Sequence, residues 1–201
     1  MTTTILTLDT HLRYTRYTQW LNGTIALLAT ALGFWILLSP ERRSDPQWVF
    51  WLIWMMATLH TVEEYIFPGH FVAWFNQNAF GSRDPNSPLS PQRAFQTDAV
   101  TGLFIPPLLV LAETYFLPLV FFFVGLLWWN AYFHITETIK SGKYFPGFIT
   151  SLLVYVPGLS YVVYFYLSRG LVAPWALAVA FALSLGGTAL FFKTVRGWLA
   201  E

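Results

Sequence analysis

The sequence predicts an all-α fold, a polytopic membrane helix bundle of about six transmembrane helices. Of the 201 residues, 56% are hydrophobic and only 10% carry a charge, whereas a soluble domain carries about 25% charged residues. The apolar residues are also gathered into long runs, and a run of about 20 is the length that crosses a bilayer as a helix. We therefore expect one membrane-embedded domain that comprises the whole chain, residues 1–201.

The expected spans are bounded by turn sequences. Ser39-Pro40 closes the first span and Pro68-Gly69 the second, and both pairs are typical of turns. The stretch 95–139 is too long for one span, so we divide it near residues 112–115. Pro106-Pro107 predicts a kink in the first part; five spans, with that part re-entrant, is the alternative. The six predicted spans are 20–38, 48–67, 95–112, 116–139, 147–168 and 172–193.

Lysine and arginine predict the orientation of the bundle. With six spans, eight basic residues lie on the side of both termini and three on the other side, namely Arg42, Arg43 and Arg169. Basic residues are enriched in cytoplasmic loops. We therefore expect both termini in the cytoplasm.

Composition excludes several classes of function. The chain has no cysteine, which removes disulfides, thiolate metal sites and cysteine nucleophiles. The net charge is +1 and no basic run is present, so nucleic acid is not an expected partner. The sequence also has no dinucleotide-binding glycine pattern, no P-loop and no haem attachment motif, so no organic cofactor is expected.

Ionisable residues occur inside two of the predicted spans. His60, Glu63 and Glu64 fall in the second span, and His134 and Glu137 fall in the fourth. A charged side chain in a bilayer is costly, so such residues usually face the interior of the bundle and mark a functional site. All basic residues lie outside the spans or at their ends. The carboxyl groups are therefore either protonated or balanced by a bound cation.

The spacing of these residues favours the cation. His60 precedes Glu63 and Glu64 by three and four residues, and His134 precedes Glu137 by three, so each set shares one helix face. Both sets fall in the cytoplasmic halves of even-numbered spans, which run parallel and can meet at one depth. Imidazole and carboxylate ligands suit iron, zinc or manganese, and helix bundles hold di-metal centres with similar ligands. We predict a site for one or two divalent ions formed by His60, Glu63, Glu64, His134 and Glu137.

The same helices offer residues for catalysis. Glu64 is the candidate acid–base group. Asn130, one turn before His134, is the candidate for orienting a substrate or a metal-bound water. Asp98, at the start of the third predicted span, is either a further ligand or a helix N-terminal residue favoured by the helix dipole.

The segment His60-Thr61-Val62-Glu63-Glu64 resembles the pattern that names the HXXEE-motif family of bacterial integral membrane proteins. A second block, Asn130 to His134 followed by Tyr144 to Gly147 and Thr150, is similar to the second conserved block of that family. The resemblance covers roughly residues 50–157. It implies a multi-pass protein of the bacterial cytoplasmic membrane and supports the site, but the function of the family is unassigned. Glu137 rests on the helix-face argument alone.

Three hypotheses about function follow. The leading one is a membrane-embedded metal-dependent enzyme, of the oxidase, hydroxylase, desaturase or hydrolase type, that acts on a lipid or other apolar substrate in the cytoplasmic leaflet. A histidine with carboxyl groups could instead catalyse the metal-free isomerisation of an isoprenoid or sterol-like substrate. The third hypothesis is an accessory subunit of a larger membrane complex. Membrane lipids are the expected surroundings in each case, and a homo-oligomer is left open.

Overall fold

A computed structural model describes residues 2–98 and 105–197 of the chain. Within these ranges the regular secondary structure is entirely helical, with no β-strand. The all-α class predicted from the composition is therefore confirmed.

Helix α1 (Thr2–Leu37) and helix α3 (Pro46–Tyr65) form an antiparallel pair that packs side by side. The short helix α2 (Pro40–Arg43) turns the chain between them. The Asp45 side chain caps α3 by accepting a hydrogen bond from the backbone N–H of Gln47 at 2.9 Å. A proline follows Asp45 at the first helical position, where no N–H is needed. The start of α3 is therefore fixed by local sequence.

Two short helices, α4 (Phe71–Ala79) and α5 (Pro91–Asp98), form a cap that follows α3. The buried side chain of Asn76 holds the loop between them. Its Nδ2 donates to the carbonyls of Pro85 and Leu89 at 2.8 Å each, and its Oδ1 accepts from the N–H of Leu89 at 2.9 Å. Both ends of the amide are thus satisfied, as a buried amide requires. The cap packs on the bundle through an apolar cluster of Phe75, Leu89, Ala94, Phe145 and Val195.

Helix α6 (Ile105–Ser141) is continuous where the sequence analysis divided it. The predicted boundary at residues 112–115 is wrong, because this stretch contains no glycine or proline and its residues are tolerated in helices. Pro106 and Pro107 lie in the first described turn of α6, a position where the missing N–H of proline is tolerated. The predicted third span, 95–112, includes residues 99–104, which lie outside the described residues.

The chain then returns along the bundle as one continuous helical stretch. It consists of α7 (Phe148–Thr150), a π-helical turn (Ser151–Tyr155) and α8 (Val156–Ser168). At its end the Tyr166 hydroxyl donates to the carbonyl of Pro46, the first residue of α3, at 2.8 Å. The stretch therefore runs antiparallel to α3.

Helix α9 (Pro174–Gly197) reverses direction again and lies parallel to α6. Gly125 of α6 faces Ser184 of α9 so closely that a Cβ at Gly125 would lie 2.3 Å from the Ser184 hydroxyl oxygen. Further along both helices, the rings of Phe133 and Phe192 are 5.2 Å apart. The C-terminal ends of α6 and α9 thus lie at the same end of the bundle as the cap.

Four described helical segments, and not six, are long and apolar enough to cross a membrane. Helix α3 occupies the place of the second predicted span, but His60, Glu63 and Glu64 lower its mean hydropathy, and much of its surface is buried against α1, α6 and α8. The crossing segment of helix α6 occupies the place of the fourth predicted span, and no crossing segment is found among the described residues of the third. The four segments are Trp20–Leu37, Leu117–Ser141, Phe148–Ser168 and Pro174–Gly197.

Candidate metal centre

Two helices bring one carboxylate and two imidazoles together near the C-terminal ends of α3 and α6. His60 and Glu64 are one turn apart on α3, and His134 faces them from α6. Glu64 Oε1 lies 3.4 Å from Nε2 of His60 and 3.0 Å from Nε2 of His134. None of the three residues is more than 4% exposed. We refer to His60, Glu64 and His134 as the His/Glu group.

The distances from Glu64 to both histidines are those between ligands of one ion. Neither Nε2 atom is aligned for a hydrogen bond. Nitrogen and oxygen ligands lie about 2.0–2.2 Å from a zinc ion and therefore about 3.0–3.5 Å from one another, which matches both contacts of Glu64. The candidate ligand atoms of the three residues all lie within 4.8 Å of one another. The group can hold a divalent ion through two nitrogens and one oxygen.

Aromatic rings and one glycine fix the two imidazoles. His60 stacks on Tyr155 with ring centroids 4.6 Å apart, and His134 stacks on Phe145 at 4.3 Å. Gly147 has a φ of +98°, in the left-handed region. A Cβ at this position would lie 2.6 Å from the His134 ring and 2.8 Å from the His60 ring. Glycine is therefore required here both for its backbone conformation and for the space it leaves.

Glu63 makes its contacts outside the His/Glu group. Its Oε1 accepts from the Tyr144 hydroxyl at 2.5 Å and from the Ile149 N–H at 2.9 Å. Its Oε2 accepts from the N–H of Thr150 at 2.6 Å and from the Thr150 hydroxyl at 2.5 Å. A carboxylate has about four acceptor positions, so those of Glu63 are filled. Both backbone donors belong to the first turn of α7, and Glu63 therefore caps that helix and complements its dipole.

The Thr150 hydroxyl connects Glu63 to the imidazole of His60. It has a single hydrogen, which it donates to Glu63, and its oxygen lies 2.8 Å from Nδ1 of His60. The hydroxyl must then accept from an Nδ1–H, since its own hydrogen is already used. We therefore assign the proton of a neutral His60 to Nδ1, which leaves a lone pair on Nε2 beside the Glu64 carboxylate. Two electron-rich atoms 3.4 Å apart require a proton or a cation between them.

Tyr144 supports the Glu63 carboxylate. Burial raises the pKa of the Tyr144 hydroxyl above its ordinary value, and the hydrogen bond to Glu63 and the negative charge of Glu63 raise it further. The phenol therefore stays protonated at neutral pH and remains a donor to Glu63.

Glu137 is not brought to the His/Glu group. It is partly exposed near the end of α6, and its Oε1 pairs with Nζ of Lys140 at 3.0 Å. Two of the five ligands predicted from the sequence, Glu63 and Glu137, thus have other partners, whereas the other three converge. The side chain of Asp98 lies outside the described residues.

Three residues of the site were assigned no role by the sequence analysis, namely Tyr144, Gly147 and Thr150. Tyr144 contacts Glu63 across 81 positions of the chain, and Thr150 contacts His60 across 90. Helical spacing carries no information about partners this distant. The available signal was their membership of the second block of the family resemblance.

An apolar cavity of about 420 Å³ lies against the His/Glu group, which lines one end of it. Asn130, one helical turn before His134, lines the same end, and its Oδ1 is buried without a hydrogen-bond partner. The volume is within the range of about 300–1,000 Å³ that holds one small molecule. Most of the remaining wall is aromatic or aliphatic and includes Phe71, Phe75, Phe122, Leu126, Phe133 and Phe192.

The four apolar segments and the buried His/Glu group are those of a helical membrane protein with a candidate metal site in its interior. A family model described as a protein of unknown function with an HXXEE motif matches residues 51–162, more than half of the chain. The chain therefore belongs to the HXXEE family, as the sequence motif predicted. The matched region includes the His/Glu group and Thr150. No curated protein and no solved structure matches the chain.

Proposed function

We propose that this protein is a membrane-embedded enzyme that uses one divalent metal ion, bound by His60, Glu64 and His134, to act on an apolar substrate. The observation that carries the proposal is the convergence of three buried ligand atoms at one end of an apolar cavity. The lone pair assigned to His60 Nε2 beside the Glu64 carboxylate supports a cation at this point.

One ion fits the site better than two. A carboxylate-bridged pair of ions in a helix bundle needs further carboxylates, but the acceptor positions of Glu63 are filled and Glu137 is paired with Lys140. Two imidazoles and one carboxylate leave coordination positions open for water or substrate. This ligand set suits zinc, which would activate water for hydrolysis, and iron(II), which would support oxidation by dioxygen, or hydroxylation and desaturation with dioxygen and a two-electron donor as co-substrates.

The protein's own residues would position the substrate. The cavity wall excludes water from the apolar part of a ligand. Asn130 lies one helical turn before His134 on the same face of α6, which places the Cβ atoms of the two residues about 6 Å apart. Asn130 would therefore hold a polar group of the substrate, or a metal-bound water, next to the His/Glu group. The substrate would enter from the surrounding lipid, which for a bacterial member of the family is the cytoplasmic membrane.

A metal-free isomerase is the second candidate. The 3.0 Å separation of Glu64 Oε1 and His134 Nε2 is also the distance of a charge-assisted hydrogen bond. A proton carried by this pair could be added to one carbon of a double bond in the adjoining cavity, while the pair takes up a proton from the neighbouring allylic carbon, so that the double bond moves by one position. In that case a proton, and not a metal ion, would separate His60 from Glu64.

Metal analysis of purified protein distinguishes the two candidates. We expect about one divalent ion per chain in the wild type and loss of the ion in His60→Ala, His134→Ala and Glu64→Gln. Glu137→Gln is the matched control, since it removes a carboxylate of α6 that lies outside the group, and it should keep the ion. A metal-free wild type that still binds apolar ligands would favour the isomerase. Undiminished metal in both histidine variants would exclude the proposed centre.

A further inference from the structure

The cavity is elongated along helices α6 and α9. Its lining residues extend from His134 back to Phe122 on α6 and from Phe192 back to Gly187 on α9. The Phe122 ring reaches Gly187, where a Cβ would lie 3.2 Å from its Cζ, so the cavity ends at about the level of Gly187. Gly187 and Phe192 are five positions apart, which corresponds to about 7–8 Å along the helix at 1.5 Å per residue.

The two ends of the cavity differ in polarity. Three ionisable side chains and the amide of Asn130 line the end near His134, with Phe75, Leu89 and Ala94 of the cap beside them, whereas Phe122, Leu126 and Gly187 line the other end. Thr188 also lines the cavity, but its hydroxyl donates to the carbonyl of Ser184 within α9 at 3.0 Å. The hydroxyl hydrogen of Thr188 is thus already used, so a ligand meets one polar end and one apolar end.

The volume restricts the ligand to a single chain. A cavity of about 420 Å³ is near the lower limit of small-molecule sites. A lipid with two chains side by side would need a wider space.

We propose that the substrate is a single-chain amphiphile, with its polar end at Asn130 and the His/Glu group and its hydrocarbon chain directed along α6 toward Gly187. The location, the volume and the polarity of the cavity carry this inference, and the proposed function supplies only the reaction at the polar end.

Gly187 determines how long a chain the cavity accepts. A Cβ at Gly187 would lie 3.2 Å from Phe122 Cζ and 3.3 Å from Leu126 Cδ2, at the apolar end. A larger residue would therefore shorten the cavity from that end. A Cβ at the neighbouring Gly186 would meet nothing within 4 Å, and Gly186 does not line the cavity, so it provides a matched control.

Photolabelling of the protein in lipid nanodiscs tests this inference. The probes are straight 1-alkanols of increasing length with a diazirine at the terminal carbon, and labelled peptides are identified by mass spectrometry. In the wild type we expect labels on α6 near Phe122 and on α9 near Gly187. In Gly187→Val, labelling by the longest probes should fall about tenfold, an effect of the size that overpacking produces, while the shortest probes label as before. Gly187→Ala should give an intermediate loss and serves if the valine variant does not fold.

Gly186→Val should match the wild type at every chain length. Identical chain-length profiles in wild type, Gly187→Ala and Gly187→Val would overturn the inference, as would labels spread over the lipid-facing surfaces.

Competition by unlabelled farnesol and by a straight alkanol of similar length shows whether an isoprenoid or an acyl chain fits better. Metal content is measured on the same samples. A bound ion with unchanged profiles removes the substrate inference alone, and shifted profiles without an ion remove the metal proposal alone.

Discussion

Thr150 lies between Glu63 and His60, and its single hydroxyl hydrogen determines which nitrogen of His60 can bind a cation. Thr150→Val keeps the shape of the side chain but leaves the Nδ1–H of His60 without an acceptor. Loss of a partner that orients a metal-binding histidine typically reduces metal affinity about 10- to 100-fold. We therefore expect that loss in Thr150→Val and near-wild-type affinity in Thr150→Ser, measured by competition with a chelator.

The tautomer itself can be observed without any metal. Nitrogen NMR of histidine-labelled apoprotein should show His60 protonated at Nδ1 in the wild type and in Thr150→Ser. A mixture of tautomers is expected in Thr150→Val. Protonation at Nε2 without protonation at Nδ1 in the wild type would refute the assigned role of Thr150.

Alanine substitutions at two glycines with positive φ distinguish the effect of backbone strain from the effect of a steric clash with the imidazoles. Gly142 has a φ of +63° with nothing near a Cβ position, whereas a Cβ at Gly147 would collide with both imidazoles. Gly142→Ala should lower the free energy of unfolding by about 1–2 kcal/mol through strain alone and keep its metal. Gly147→Ala should lose most of the metal as well, because both rings must move. Thermal unfolding and metal content of the two variants provide the comparison, and equal metal content would contradict the packing described for Gly147.

The sequence predicted that the two histidines and Glu64 belong to the site, but it could not show which of the three glutamates lies close to the histidines. Helical spacing fixes which residues share a face, so the spacing of His60 and Glu64 was informative. Whether Glu63 or Glu137 joins them depends on other partners. Glu63 accepts hydrogen bonds from donors more than 80 positions away, and Glu137 forms an ion pair with Lys140 near the exposed end of α6.

At the scale of elements, Glu63 joins α3 to the start of the stretch formed by α7, the π-helical turn and α8. Glu63→Gln replaces one acceptor oxygen with an NH₂ group that faces donors. Unsatisfied buried groups of this kind cost about 1–3 kcal/mol. We expect a corresponding loss of stability and faster hydrogen–deuterium exchange at Ile149 and Thr150. Glu137→Gln, at a partly exposed position, should leave this exchange unchanged, and unchanged exchange in Glu63→Gln would rule out the capping role.

Element boundaries were predictable where the sequence contains strong local signals. Ser39-Pro40 and Asp45-Pro46 do bound helices α2 and α3. The division at 112–115 failed because it rested on the length of a single bilayer crossing, and this length does not end a helix. The capping of α7 was not predictable, because its capping side chain comes from α3 and not from the adjoining sequence.

At the scale of the whole molecule, basic residues distinguish the two ends of the bundle. Three basic residues lie at the end of the bundle opposite the His/Glu group, namely Arg42, Arg43 and Arg169. Six lie in or beside the elements at the His/Glu end, namely Arg83, Arg93, Lys140, Lys143, Lys193 and Arg196. The rule that basic residues favour the cytoplasm therefore predicts a cytoplasmic location for the His/Glu end.

The absence of cysteine from the sequence makes this orientation simple to test. Asn86→Cys marks the His/Glu end and Gln47→Cys marks the opposite end, and both positions are exposed. In intact cells a membrane-impermeant maleimide should label Gln47→Cys, whereas Asn86→Cys should react only after the cells are opened. The reverse pattern would place the His/Glu end outside the cytoplasm.

X-ray absorption spectroscopy of the metal-loaded protein tests the central claim most directly, because it reports the ligands of the bound ion. We predict two imidazole nitrogens and at least one oxygen at about 2.0–2.2 Å in the wild type, and one imidazole fewer for the ion that His134→Ala retains at high metal concentration. A wild-type spectrum without imidazole scattering, or one that is the same in His134→Ala, would contradict a metal centre formed by His60, Glu64 and His134.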